Sequence, residues 1–526
     1  MLRWVVRLLP VLMVSSMLAG LPAAVADPSR LPLGPADLAE SRSTTVLAPG
    51  VTLALITRGT PDPATVWTVE VAVPGDPDQP DPDHPPTALA DRAHAEALAE
   101  RLRAGGFAAR VEEVVTQPVA DFAGGTLGFR VRVGADPDPA AVDVTLNAIR
   151  AKGFTASRVF TGWDGAATDR GPWKLQVLTI DPHRFHGRLV ASYGPDLERR
   201  ETTSALAQAA SALAAVNAGF FVLDPKAGAP GDPAGVGVYG GRLLSETING
   251  RPAFAFRDNG RGAAVTRMSW TGSVADRLPL DGIDRVPGLI RNCGGTADDQ
   301  PTSHPLHDTT CTDPDELIAF TPQFGAATPA GPGVEAVLDS RGVVTELRSP
   351  RGGALPAGGG SVQATGSLAG TLRGIAVVGQ RLRIDSRLLD ERGHTVHTAP
   401  STMIVNGGPE LVRDGRLHLT PATDGMVRPG DPSFYYGFVA KRNPRTIAGV
   451  DRDGRIILVT ADGRSTASLG LSLPESAAVA RALGMRDAIN LDGGGSTTMV
   501  AGGRVINSPS DAAGERPVGD AILVLP

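Results

Sequence analysis

Near the C-terminal end, Asn490-Leu491-Asp492-Gly493-Gly494-Gly495-Ser496-Thr497-Thr498-Met499 sets one carboxylate before three glycines and three hydroxyls. Glycines reach backbone angles that aim successive N–H groups into one concavity, and their missing side chains let a ligand come close. Such a nest suits an anionic oxygen, with Ser496 and Thr497 as further hydroxyl donors. It is not a nucleotide P-loop: no Gly-Lys-Ser/Thr follows, and the next segment reads as strand rather than helix. Three glycines alone would read as a tight strand-to-strand turn. What lifts the segment above that reading is a set of cationic loops elsewhere. Lys441-Arg442-Asn443-Pro444-Arg445-Thr446 carries three cations in a row of six residues, Asp462-Gly463-Arg464 follows a strand, and Arg516 lies beyond Asn507-Ser508-Pro509-Ser510-Asp511. Any one of these arginines alone reads as a surface ion pair. Together, at strand ends beside Asn, Asp, Gly and Pro, they read as loops displayed by a rigid sheet.

The elements that would hold these loops are mostly strands. Leu175–Ile180 alternates, and Ile375–Ile384 and Thr402–Val405 are strand candidates. Leu411–Leu419 turns at Asp414-Gly415, and Ile447–Val450 with Ile456–Val459 turns at Asp453-Gly454. Thr203–Val216 reads as an Ala-rich helix running into Asn217-Ala-Gly-Phe-Phe221. Pro474–Gly484 reads as a helix with Ser472 as a candidate cap, leading into Ala488–Leu491. Residues 222–250, 291–315 and 350–362 are Gly/Pro/polar loops long enough to suspect function.

The 526 residues carry a net charge of −6, which argues against general nucleic-acid binding. The 64 glycines and 44 prolines stay below the ~25–30% that would signal wholesale disorder, so several folded units with loop-rich surfaces are expected. Met1–Arg7, an apolar run from Leu8 to Leu21 and Ala24-Val25-Ala26 have the pattern of a secretory signal peptide over 1–26. The run is shorter than the ~20 residues a spanning helix needs, and Pro10 interrupts it, so cleavage outweighs an uncleaved anchor. No later segment is long and apolar enough to span a bilayer. A secreted, cell-wall-associated protein is expected. Residues 27–64, rich in Pro, Ala and Asp, read as a tether with a short strand at Val51–Thr57. Cys293 and Cys311 are the two cysteines. In an oxidising compartment they read most simply as one disulfide around His304, His307 and Asp308. The alternative, a metal held by both cysteines and both histidines, has a spacing that matches no compact zinc module.

Residues 65–162 order as strand–helix–strand, strand–helix–strand, a split βαβ unit. The phrase "helix, Leu/Ile-Arg-Ala-x-Gly-Phe, strand" occurs at Leu102–Phe107 and again at Ile149–Phe154, and Phe129-Arg-Val-Arg-Val-Gly134 lies between. This stretch resembles a SPOR domain, the sporulation-related repeat. The resemblance implies a ferredoxin-like βαββαβ fold that binds peptidoglycan glycan strands and targets the wall; the alternative is a packing domain without a ligand.

Over 172–526, six motifs occur in one order: Asn217-Ala-Gly-Phe-Phe221, Asn406-Gly-Gly-Pro409, Asn443-Pro-Arg445-Thr446, Asp462-Gly-Arg464, Leu491-Asp492-Gly-Gly-Gly-Ser-Thr497 and Asn507-Ser-Pro-Ser-Asp511. They resemble the phosphodiester glycosidase family. That resemblance implies an α+β fold with a mixed central sheet, and hydrolysis of a sugar-1-phosphodiester, such as a GlcNAc-1-phosphodiester, at the anomeric carbon. Cleaving C1–O makes an oxocarbenium-like sugar that a carboxylate stabilises, and the leaving phosphate needs cations and N–H donors. Asp492 and Asp462 are therefore expected on the sugar side. Arg445, Arg464 and Arg516, with Gly493, Gly494, Gly495, Ser496 and Thr497, are expected around the phosphate, and Asn217 and Asn406 against sugar hydroxyls or the phosphate edge. A divalent Ca²⁺ or Mg²⁺ on Asp492, Asp462 and Asn490 is a further option, left unassigned because no EF-hand spacing is present. Two competing functions stand beside this one: a non-catalytic peptidoglycan-binding protein, and a phosphodiesterase cutting P–O.

Overall fold

The computed structural model describes residues 30–73, 87–248, 250–293 and 304–526, so the signal-peptide segment 1–26 lies outside the described residues. Strands outweigh helices, and the architecture is a mixed α+β one. The central sheet has eight strands. In spatial order they are Glu40–Ala48, Val51–Arg58, Trp173–Ile180, Ile456–Ala461, Arg445–Asp451, Met485–Asn490, Glu410–Arg413 and Arg416–Leu417, all antiparallel.

Alternation along these strands builds two cores at once. Trp173, Leu175, Val177, Ile447, Ile457 and Val459 point to one face, where the helix Leu473–Ala482 packs with Phe434 and Tyr435. Leu178, Ile180, Ala448, Ile456, Leu458 and Ile489 point to the other. There they meet a five-stranded sheet ordered Arg504–Val505, Met499–Ala501, Ala214–Asn217, Ala521–Leu525 and Arg188–Ser192. The helix Leu473–Ala482 starts at Ser472 through a capping box: Ser472 Oγ accepts from Glu475 N–H, and the Glu475 carboxylate accepts from Ser472 N–H.

Four sequence expectations change. The central sheet, expected to be mixed, is antiparallel throughout, since hairpins rather than helical crossovers join several of its neighbouring strands. The tether expected over 27–64 instead contains a hairpin, Glu40–Ala48 with Val51–Arg58, that extends the central sheet beside Trp173–Ile180. Its outer strand is exposed and polar, which hid it, while Val51, Leu53 and Ile56 are buried. The helix expected over Thr203–Val216 ends at Ala209; the chain turns at Ser211, which takes a positive φ, and Ala214–Asn217 is a strand. Small alanines look helical in isolation, but here Ala214 packs between the two sheets and Ala215 against the short helix on the far side. The strand expected at Ile375–Ile384 is the end of a helix, Leu368–Ile375, and the start of the strand Ile384–Asp390.

The N-terminal module has the strands Trp67–Val71, Ala109–Thr116, Gly125–Asp136 and Ala156–Phe160, with the helices Arg92–Ala104 and Pro139–Ala151. Its antiparallel sheet runs second, third, first, fourth in chain order. The repeated phrase has a physical cause. Phe107 N–H donates to Leu102 O and Phe154 N–H to Ile149 O, closing each helix over a glycine of positive φ, Gly106 and Gly153. Arg103 then donates to Ala109 O and Arg150 to Ala156 O, pinning each helix end to the strand that follows. Both helices cover one face of the sheet, around Val69, Val131, Leu102 and Ile149.

Candidate active site

The strands Arg445–Asp451, Ile456–Ala461, Met485–Asn490 and Ala214–Asn217 bring their loops to one end of the two packed sheets, where a cleft of about 490 Å³ opens. Asp492, Gly493, Gly494 and Gly495 form its floor with Arg445, Arg464 and Arg516. Segments 444–446 and 491–494 are zipped together: Leu491 N–H donates to Thr446 O and Gly494 N–H to Pro444 O. The glycines are forced by proximity. A Cβ on Gly495 would lie 2.2 Å from Asp511 Oδ1 and 2.4 Å from Arg516 Nη2, and one on Gly494, whose φ is +59°, would lie 3.2 Å from Arg464 Nη2.

The three cations of the 441–446 loop have different fates. Lys441 pairs with Glu70 of the N-terminal module at 3.5 Å. Arg442 is buried and paired with Asp169 and Glu475. Arg445 is 3% exposed, donates to the carbonyls of Leu471 and Phe438, and has no carboxylate within ion-pair distance among the described residues. Burial first, then the nearby Arg464 charge, pushes its pKa down to about 9. A buried guanidinium without a counter-charge is costly, and an anion in the cleft offsets that cost. Arg516 is engaged by Asp511 at 2.7 Å, and Arg464 donates to Asn443 Oδ1.

Several expected ligand-binding residues lie below the floor instead. Asn217 is fully buried: its amide donates to Asp492 O, and its Oδ1 accepts from Thr446 Oγ1 and Thr498 N–H. The Asn406 side chain accepts from Phe220 N–H and donates to Phe220 O, and Asn507 does the same for Met499 N–H and Thr497 O. A primary amide copies a peptide group, so each of these asparagines clamps backbone groups at or just beyond a strand end. Ser496 and Thr497 are buried under the nest and do not line the cleft. Asp462 is also off the cleft wall: its Oδ1 accepts from Ser508 N–H at 2.9 Å, and burial raises its pKa. Asn490 donates to Gly408 O and Leu491 O. The divalent-cation set of Asp492, Asp462 and Asn490 therefore does not assemble. Among the described residues no group of three or more His, Cys, Asp or Glu side chains is placed to hold a metal.

The opposite wall comes from the loop closed by the Cys293–Cys311 disulfide. The disulfide reading of the two cysteines holds, and residues 294–303 lie outside the described residues. His307 and Asp308 line the cleft; His304 does not. Asp308 sits at φ +58°, its N–H donates to Asn292 Oδ1, and Arg291 binds its carboxylate at 3.0 Å. His307 is buried against Phe220 and Phe438, and its Nδ1 accepts from Arg251. Burial and the charges of Arg251, Arg291 and Arg428 hold it well below the usual histidine range, so it is neutral. Phe220, Phe221, Phe438, Val159 and Trp163 complete the walls. No sequence motif singled out Phe438 or Trp163; the wider helical turn Tyr436–Ala440 carries the first.

With this geometry in hand, comparison with known proteins is direct. The family model for phosphodiester glycosidase matches residues 332–525, and the SPOR domain model matches residues 87–159. A solved structure from Burkholderia pseudomallei K96243, described as an exported protein, superposes with a TM-score of 0.83 at 33% identity, over 95% of this chain and 99% of that one. The chain therefore carries a phosphodiester glycosidase domain over residues 332–525. It carries a SPOR domain ahead of the phosphodiester glycosidase domain. The N-acetylglucosamine-1-phosphodiester alpha-N-acetylglucosaminidases of Mus musculus and Homo sapiens are each 36% identical to it, over 116 and 114 residues. Those alignments cover 21% of this chain and 22% of each relative, so the chain spans about a fifth of the length of the curated relatives it matches. A hypothetical protein from Synechocystis shares the fold, with a TM-score of 0.51 at 19% identity over 92% of this chain and 75% of that one.

Proposed function

We propose that this protein is an exported glycoside hydrolase that cleaves the anomeric C–O bond of a sugar-1-phosphodiester on a cell-envelope glycan. The observation that carries the reading is Arg445: a buried cation with no carboxylate at ion-pair distance among the described residues, lining the same cleft as Asp492 and the triple-glycine nest. The phosphate lies against Arg445, Arg464, Arg516 and the backbone N–H groups of the nest, where its charge replaces the missing partner. Asp492 faces C1 of the sugar. As C1–O breaks, the bonding pair moves onto the phosphate oxygen, and Asp492 stabilises or traps the oxocarbenium carbon. A water oxygen then bonds to C1, and its proton leaves through a carboxylate. Asp308, on the opposite wall, is the second carboxylate in reach of the cleft, a role expected from sequence for Asp462. The products are a free sugar and a phosphomonoester.

The N-terminal segment, the disulfide and the exported relative support export, and the SPOR module, read as ferredoxin-like, supports a wall glycan as partner. The test is hydrolysis of a GlcNAc-1-phosphodiester in ¹⁸O-water. Label in the released sugar is expected. Label in the phosphate would assign P–O cleavage, and no turnover across several sugar phosphodiesters would leave a binding protein.

A further inference from the structure

A sheet that covers one face with helices leaves its other face for a partner. In the SPOR module that face carries Thr68, Glu70, Arg130 and Arg132, and its centre is already taken. Arg132 is 1% exposed, bound to Glu70 at 2.8 Å and to Asp164 at 2.6 Å. Tyr436 of the glycosidase domain donates its hydroxyl to Glu70 and accepts from Arg130 at 2.6 Å. Lys441 reaches Glu70 from the same side. A glycan laid across the middle of this sheet would have to displace a buried ion network.

The same face ends at an edge strand where the situation differs. Val159 pairs with Thr68 across the ladder, so it shares the Glu70 face, and it lines the glycosidase cleft. The chain leaves this strand through Thr161–Asp164, which places Trp163 on the cleft wall beside Lys441 and Asn443. The position is fixed from both sides. Arg442 N–H donates to Trp163 O, and Arg442 Nη1 donates to Gly162 O at 2.8 Å. Trp67 meets the Trp163 ring edge-on at 5.4 Å. The indole remains half-buried rather than sealed. An aromatic wall next to a cationic floor suits a sugar ring, which offers a C–H face for stacking and hydroxyls at its rim.

We propose that the SPOR module serves here as a wall of the catalytic cleft, and that Trp163 with Val159 forms a subsite for a further saccharide unit of the glycan joined to the scissile phosphate. This rests on the reading of the cleft as a phosphodiester glycosidase site and adds to it the residues that would hold the glycan beyond the phosphate.

The experiment uses the full chain and two probes, a GlcNAc-1-phosphodiester of methanol and one of the primary hydroxyl of chitotetraose. Wild type is expected to prefer the longer probe by tenfold or more in kcat/KM. Trp163→Ala is expected to bring that ratio close to one, and Trp163→Phe, which keeps the ring packing against Trp67, to retain most of it. An unchanged ratio in folded Trp163→Ala, or no preference in wild type, would overturn the subsite. Should wild type turn over neither probe, the glycosidase reading falls. Chitotetraose binding, followed by tryptophan fluorescence, then tests the subsite alone. Equal affinity in wild type and Trp163→Ala, or no binding to wild type, counts against it.

Discussion

At the residue scale, Arg445 is the group whose state the cleft most needs to control. Its depressed pKa of about 9 means that, above that pH, the unfolded chain holds a proton the folded one has released. Stability of the ligand-free protein therefore gains as pH rises from about 9 towards the ordinary arginine value, while phosphate affinity falls over the same range. Two measurements check this: KM for a sugar phosphodiester is expected to climb above pH 9, and inorganic phosphate at pH 7 to raise the melting temperature of wild type but not of Arg445→Met. The carboxylates separate in the same way. Asp492→Asn and Asp308→Asn are expected to lower kcat by on the order of a hundredfold or more with the fold intact. Asp462→Ala, which releases Ser508 N–H, is expected to lower the melting temperature first, by about 1–3 kcal/mol of stability. The asparagines show the limit of reading residue types alone. Asn217, Asn406 and Asn507 stood out as polar groups at strand ends, and they are indispensable to the site's shape, but their amides are spent on backbone groups.

At the scale of elements, the strand ends and the glycine bend were legible because their constraints are local: alternation, turn residues and close approach. The SPOR repeat was legible for the same reason, since each copy makes the same arginine-to-carbonyl and phenylalanine-to-helix contacts. The loop 291–315 reads from sequence as a candidate substrate entrance lined by His304, His307 and Asp308, and His307 and Asp308 do line the cleft. Trp163 was not assigned there because tertiary packing alone brings it to the cleft, across more than a hundred residues of chain. The loop bearing Asp308 is held by the short ladder of Ile290–Arg291 with Thr310–Cys311 and by the disulfide. Opening that 18-residue link in a Cys293→Ser/Cys311→Ser double variant is expected to cost about 3 kcal/mol of stability and to lower kcat more than KM rises. Thermal denaturation and steady-state kinetics on the one preparation check both parts. His307 in the same loop adds an acid limit. It is neutral when folded and titrates when unfolded, so stability falls as pH drops below the unfolded value of about 6.5.

At the scale of the whole molecule, the two modules are interlocked rather than strung together. Besides the Tyr436 network, Ser433 Oγ accepts from Ala88 and Leu89 N–H, and the Asp121 carboxylate accepts from Ala422 and Thr423 N–H. Phe122 packs on Tyr435 at 4.6 Å. Calorimetry is expected to show one cooperative transition for both modules, and Arg132→Met, which leaves buried Glu70 to Tyr436 and Lys441 and Asp164 to Arg130, to lower it as a unit. The disulfide loop has a consequence on this scale too. Nucleotide sugars inside a cell carry the same kind of anomeric phosphate bond that the proposed reaction cleaves. The link that steadies Asp308 needs an oxidising compartment to close, so on the proposed export the cleft wall is completed only once the chain and those metabolites are on opposite sides of a membrane.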